Sequence, residues 1–179
     1  RPLNAAVNSS NEVYVISRNS QHPLTIWDTD GNFISSWGER IFSDVPHGIC
    51  IAANDNVWIV DRNFHIATEF TPDGNPLRTL GKKLEPSPTW EGQFVHSVPF
   101  NMPSNLAIAP DGHLFVSDGY GAHRVHKFSP DGHLLFSWGE PGTNPGQFNI
   151  VHNIATDKEG YVYVADRENH RIQIFDKNG

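Results

Sequence analysis

Val57-Trp58-Ile59-Val60-Asp61-Arg62 reads as a short apolar strand that ends on an acid and an arginine, and the chain writes this phrase four times. The other copies are Val13-Tyr14-Val15-Ile16-Ser17-Arg18, Leu114-Phe115-Val116-Ser117-Asp118-Gly119-Tyr120 and Val162-Tyr163-Val164-Ala165-Asp166-Arg167. Each continues through a loop into a strand that closes on Trp27, Phe70, Phe128 or Phe175. A turn follows at Asp30-Gly31, Asp73-Gly74, Asp131-Gly132 or Asn178-Gly179. The closing glycines lie 43, 58 and 47 residues apart, the spacing of a repeat built from several short strands. Pro-Asp-Gly at 72–74, 110–112 and 130–132 marks tight turns, because proline presets φ and glycine accepts a positive φ. No stretch of useful length has a helical period.

Each copy divides into four strands. In the second copy they are expected at Gly48–Ala53, Val57–Asp61, Ile66–Thr71 and Pro76–Leu80. In the third they are expected at Leu106–Ala109, His113–Asp118, Arg124–Ser129 and Leu134–Trp138. Four short antiparallel strands per repeat make a blade, which predicts an all-β chain folded as a β-propeller. A β-sandwich also uses short alternating strands, but it does not repeat landmarks in register. The expected blades cover about residues 1–40, 41–81, 101–140 and 147–179 of one domain. The insert 82–100, with Glu91-Gly92-Gln93-Phe94, is either a surface loop or a rim loop over a pocket. Four units seldom close a ring alone, so a ring of about six blades is expected, with the remainder beyond this sequence. Open blade edges would then invite self-association.

The chain has 179 residues, 37% hydrophobic and 18% charged, an ordinary globular composition. No apolar run approaches the ~18 residues of a membrane span. A net charge of −7 with scattered basic residues argues against nucleic acid as a partner. Cys50 stands alone, so no internal disulfide can form; in Ile49-Cys50-Ile51-Ala52 it reads as a small core residue.

Ten histidines raise the question of a metal. In a blade, the residue before the innermost strand and the residue after the second strand crowd the same channel mouth. The first position carries Leu3, His47, Ser104 and His152; the second carries Arg18, Arg62, Tyr120 and Arg167. Histidines in alternate blades, with a third expected in a sixth blade, would form a His₃ site with an open position, as in catalytic zinc centres. The plain alternative is that they only hydrogen-bond in a polar channel. The other eight histidines fall on turns, loops or outer strands and read as solvated. Asp61-Arg62, Asp166-Arg167 and Arg171 read as a structural ion-pair belt, the preferred reading for Arg62. Arg18 and Arg167 could instead fork onto a substrate carboxylate. Tyr120, framed by Gly119 and Gly121, would present its hydroxyl to the channel, where a tyrosine beside a divalent cation can act as a base.

These residues resemble a known family. Gly-Gln-Phe, Ala/Ser-Asp, Arg-Ile/Val-x-x-Phe and Asp-Gly in succession are similar to the NHL repeat. Val45-Pro46-His47-Gly48, Ser117-Asp118-Gly119-Tyr120, Ala165-Asp166-Arg167-Glu168-Asn169 and Phe136-Ser137-Trp138-Gly139-Glu140 resemble the peptidyl-α-hydroxyglycine α-amidating lyases. That resemblance implies a zinc-dependent lyase that cleaves the N–C bond of a C-terminal α-hydroxyglycine, giving a peptide amide and glyoxylate. It implies His47 and His152 as zinc ligands, Tyr120 as base, and Arg18 and Arg167 as the arginines that orient a carboxylate. It also implies a structural calcium held partly by the main-chain carbonyls of Ala5 and Ile49, a peptide or small amide substrate, and an extracytoplasmic setting. The family's third zinc histidine and calcium carboxylate have no counterpart in this sequence, so this stretch alone is expected to be inactive or metal-poor. A non-catalytic NHL scaffold for protein or peptide remains the rival. A lactonase-like propeller would want acidic and amide groups at the mouth in place of His, Arg and Tyr.

Overall fold

A computed structural model describes residues 1–88 and 99–179; the insert's Gly-Gln-Phe echo and His96 lie outside the described residues. The chain is an all-β propeller of four blades. Blade one is β1 (Pro2–Val7), β2 (Val13–Ser17), β3 (Leu24–Trp27) and β4 (Phe33–Trp37). Blade two is β5 (Pro46–Ile51), β6 (Val57–Asp61), β7 (Ile66–Phe70) and β8 (Pro76–Gly81). Blade three is β9 (Asn105–Ile108), β10 (Leu114–Asp118), β11 (Arg124–Phe128) and β12 (Leu134–Trp138). A two-residue parallel pair, β13 (Glu140–Pro141) with β14 (Gln147–Phe148), leads into blade four. That blade has three strands: β15 (Val151–Thr156), β16 (Val162–Asp166) and β17 (Arg171–Phe175). Among the described residues no helix is long and apolar enough to cross a membrane.

Neighbouring strands in each blade are antiparallel, and the turns are closed as their residues demand. After β7 the Thr71 carbonyl accepts from Gly74 N, which sits at φ +87°; after β11 the Ser129 carbonyl accepts from Gly132 N in the same way. The innermost strands β1, β5, β9 and β15 pack side by side in chain order.

Three apolar seams join the blades. Tyr14, Ile16, Leu24 and Ile26 of blade one meet Ile49, Val57, Ile59 and Phe70 of blade two. Trp58, Val60, Ala67 and Leu80 meet Leu106, Leu114, Val116 and Phe128. Phe115 and Val125 meet Ile154, Val162 and Val164. Blades two and three are covered on both faces, so β6, β7 and β10 are buried at every position.

The acid that ends the second strand is a buried acceptor for the chain arriving from the previous blade. Asp61 accepts from Ser43 N and Oγ and from Phe64 N. Asp118 accepts from Asn101 N, and Asp166 from Asn149 N. This explains why an acid recurs there although the site is dry: each carboxylate closes a loop, and an unpaired one would be costly.

The solvated reading of the other histidines fails at His65, which is half-buried with Nδ1 accepting from the Met102 amide at 3.0 Å, and more fully at His126. His126 is not solvated; it is fully buried, with Nε2 3.1 Å from Asp118 Oδ2 and Nδ1 2.7 Å from Ser137 Oγ. A polar residue on the third strand reads as exposed, but Phe100, in the seam with blade two, covers this one.

Candidate functional site

The mouth is built by irregularities in the innermost strands. The pairing of β5 with β6 jumps from Pro46↔Asp61 to Gly48↔Val60, and that of β15 with β16 from Val151↔Asp166 to Asn153↔Ala165. His47 and His152 are therefore the extra residues of two β-bulges, a device that re-aims a side chain away from the ladder. Leu3 holds the same place in blade one. The strand expected to start at Gly48 starts at Pro46 for this reason.

Two glycines let the blades close around these bulges. A side chain at Gly48 would come within 2.5 Å of Asn105 Oδ1 and 2.7 Å of the Ser104 carbonyl. A side chain at Gly119 would strike the backbone of Val151, next to His152. The result is a tight cluster across three blades. The rings of His47 and His152 are 5.1 Å apart, and Tyr120 lies 5.4 Å from the first and 5.8 Å from the second. His47 Nε2 is 3.1 Å from the Tyr120 hydroxyl, and His47 Nδ1 is 2.8 Å from the Ser104 carbonyl. A carbonyl only accepts, so Nδ1 carries the proton. Neutral Nε2 then presents its lone pair to the channel and accepts from the phenol.

Burial lowers the pKa of His47, and the charges of Arg62, Arg18 and Arg167 push the same way against the Ser104 hydrogen bond. Burial also lowers that of His152, helped by His47 and Arg167. Both imidazoles are thus held neutral, the form that ligates metal.

The arginines divide. Arg167 opens a 3₁₀ turn (Arg167–Asn169), with Nη1 3.4 Å from the Tyr120 hydroxyl and Nε 2.8 Å from Glu168 Oε1. Arg18 is exposed beyond β2 and bears on His47 only through its charge. Arg62 departs from the ion-pair reading. The Asp61 beside it is occupied by Ser43 and Phe64, and the Arg62 guanidinium lies 4.1 Å over the Tyr120 ring. In blade four Asp166 does take an arginine, but it is Arg171, at 2.8 Å, and not Arg167. Sequence reasoning missed Arg62, whose partner lies in another blade, and the Ser104 carbonyl, which as a backbone group leaves no residue signal.

Among the described residues no three His, Cys, Asp or Glu side chains form a ready metal cluster. The Ser104 carbonyl leaves Nε2 as the nitrogen by which His47 could ligate, and the neutral His152 ring 5.1 Å away could be a second ligand, a pair that would suit zinc. Packed against Gly48, Asn105 Oδ1 is buried and unpartnered, an orphan oxygen that would suit a hard cation such as calcium. The Ala5 and Ile49 carbonyls belong to the adjoining inner strands β1 and β5.

The fold and its repeat define the class: a β-propeller with NHL repeats at residues 100–128 and 148–175. Over 184 residues the chain is 34% identical to human NHL repeat-containing protein 3, covering 97% of this chain and 51% of that protein. It is also 34% identical over 170 residues to peptidyl-alpha-hydroxyglycine alpha-amidating lyase 2 of Drosophila melanogaster, covering 92% of this chain and 40% of the lyase. The chain thus spans about half the length of the first relative and less of the second. Among solved structures, a streptogramin B lyase superposes with a TM-score of 0.69 at 13% identity, over 99% of this chain and 52% of that one, a likeness of fold.

Proposed function

We propose that this chain carries the larger part of the active site of a zinc-dependent lyase that cleaves a C-terminal α-hydroxyglycine into a peptide amide and glyoxylate. The observation that carries the reading is the contact of His47, His152 and Tyr120 at the mouth, with two guanidinium groups against the same phenol. His47 and His152 would hold the metal, which when bound supplies a Lewis acid for the substrate's hydroxyl and carboxylate oxygens. With His47 Nε2 on the metal, Tyr120 would no longer donate there; as the phenolate it would take the hydroxyl proton while the C–O bond becomes a carbonyl and the C–N bond breaks. The same phenol then returns the proton to the departing amide nitrogen, so atoms and charge balance. Arg167, and Arg18 from the rim, would receive the glycine carboxylate; Arg167 first has to leave Glu168. A calcium at the Ala5 and Ile49 carbonyls would brace the inner strands.

The test is zinc binding by calorimetry alongside glyoxylate release from a peptidyl-α-hydroxyglycine, using the chain within its full-length protein. His47→Ala should weaken zinc binding, and Tyr120→Phe should abolish release while leaving zinc bound. Absence of both metal and glyoxylate in the wild type sinks the proposal. A second reading, a non-catalytic scaffold, is favoured by the equal identity to NHL repeat-containing protein 3. It expects peptide or protein binding to survive His47→Ala and Tyr120→Phe together.

A further inference from the structure

Arg62 is the one arginine of the mouth that sequence reasoning assigned to the scaffold, and its surroundings do not fit that role. Among the described residues it makes no ion pair. Its Nε is buried and has no hydrogen-bond partner, although burying a guanidinium donor unpaired is costly. It lies instead over the Tyr120 ring, with the guanidinium carbon 4.1 Å from the ring centroid; Arg167 stands 5.6 Å off and reaches the hydroxyl. At its edge Nη2 donates to Met102 Sδ, 3.8 Å away. Met102 is held at φ +61°, and its amide donates to His65 Nδ1 at 3.0 Å. The guanidinium thus has a phenol ring against it and a thioether at its edge. A flat, weakly hydrated cation suits that slot, because it can stack and still present donors at its edge; a lysine ammonium cannot.

We propose that Arg62 is a positioning residue, set over the Tyr120 ring so that the phenol hydroxyl stays at the mouth beside His47 and Arg167. Its importance to turnover rests on the lyase reading of the mouth; its stacking does not. Tyr120 sits on a loop whose backbone is pinned by Gly119 against Val151, while its ring is held by His47, His152, Arg62 and Arg167. Arg62 covers the ring most closely, and without it the ring is free to swing from the two histidines.

Two measurements test this, the first with no metal or substrate. In the ¹⁵N-arginine-labelled chain, the Arg62 Nε–H resonance should be shielded by the ring current and protected from exchange. Tyr120→Leu should return it toward the exposed arginines. A resonance that sits with the exposed arginines, or does not move in Tyr120→Leu, overturns the proposal. The second is kinetic, in the full-length protein: Arg62→Gln should lower kcat about tenfold with KM nearly unchanged, the signature of a misplaced reacting group. Arg62→Lys should recover less than half of that loss, with both variants melting as the wild type does. Full recovery by lysine would show that charge suffices and would overturn the stacking role. If the wild type releases no glyoxylate, the lyase reading falls, and the resonance measurement still decides whether Arg62 holds Tyr120.

Discussion

Blades two and four are the same repeat under different conditions. Both write an apolar second strand ending in Asp-Arg and a third strand ending in Phe, yet β6 and β7 are buried throughout, whereas β16 and β17 alternate. Ile172 and Ile174 are 61% and 59% exposed; the matching Ala67 and Glu69 of blade two are buried. Burial in a propeller is therefore a property of the seam between blades. The acids differ in the same way. Asp61 is satisfied by backbone and serine donors, so Arg62 beside it is free for Tyr120. Asp166 takes Asn149 N, Asn169, Gln173 and Arg171, and Arg171 also caps the carbonyls of Thr143, Asn144 and Gln147. One repeat position thus serves two designs, a neutral lock in blade two and a charged clamp in blade four.

The largest break in this comparison should come from the seams. Phe115→Ala, in the seam between blades three and four, should cost about 3–5 kcal/mol in denaturant unfolding, while Ile172→Ala on the uncovered face should stay within about 0.5 kcal/mol. Equal losses would show that Ile172 is covered in solution. Next comes the clamp: Arg171→Met should cost about 2–3 kcal/mol, since it leaves a buried carboxylate and three carbonyls short of donors. Arg62→Met, which strands no acid, should cost under about 1 kcal/mol, and a loss as large as that of Arg171→Met would contradict the account of Asp61.

The smallest effect should be a pH dependence in blade two. Burial lowers the pKa of His65, against the opposing pull of Asp118 and Asp61. Its Nδ1 accepts the Met102 amide, which a protonated ring cannot do. The unfolded chain therefore takes up this proton first. The contribution is intact above about pH 6.5, falls as pH drops through the window below it, and levels off once the folded form is protonated too. Partial exposure limits it to under about 1 kcal/mol. His47 and His152 shift in the same direction, so the slope of stability between pH 7 and 5 should be compared between wild type and His65→Leu; identical slopes would remove His65 from the account.

Much of the fold was legible in the sequence, because turns and strand alternation are local. Pro-Asp-Gly sets a turn and an apolar alternation sets a strand wherever they stand. The repeats in register also pointed to His47, His152 and Tyr120 as neighbours, since a repeat places equivalent residues at equivalent ends of each blade. Less legible was anything that depends on the gap between blades. His126 read as a solvated outer residue and is buried; Arg62 read as the partner of Asp61 and covers Tyr120. The bulges at His47 and His152 have no residue signature, and the carbonyl that sets the His47 tautomer is anonymous backbone.

The sequence by itself determined the repeat, its strands and turns, and the residues offered to the channel, all governed by short-range backbone preference and side-chain alternation. The tertiary structure alone decided which faces are dry, which acids need a cation, and that His47 and Tyr120, 73 positions apart, touch. Those outcomes depend on how closely one blade stacks on the next, which two glycines and two bulges set and no single blade's sequence contains.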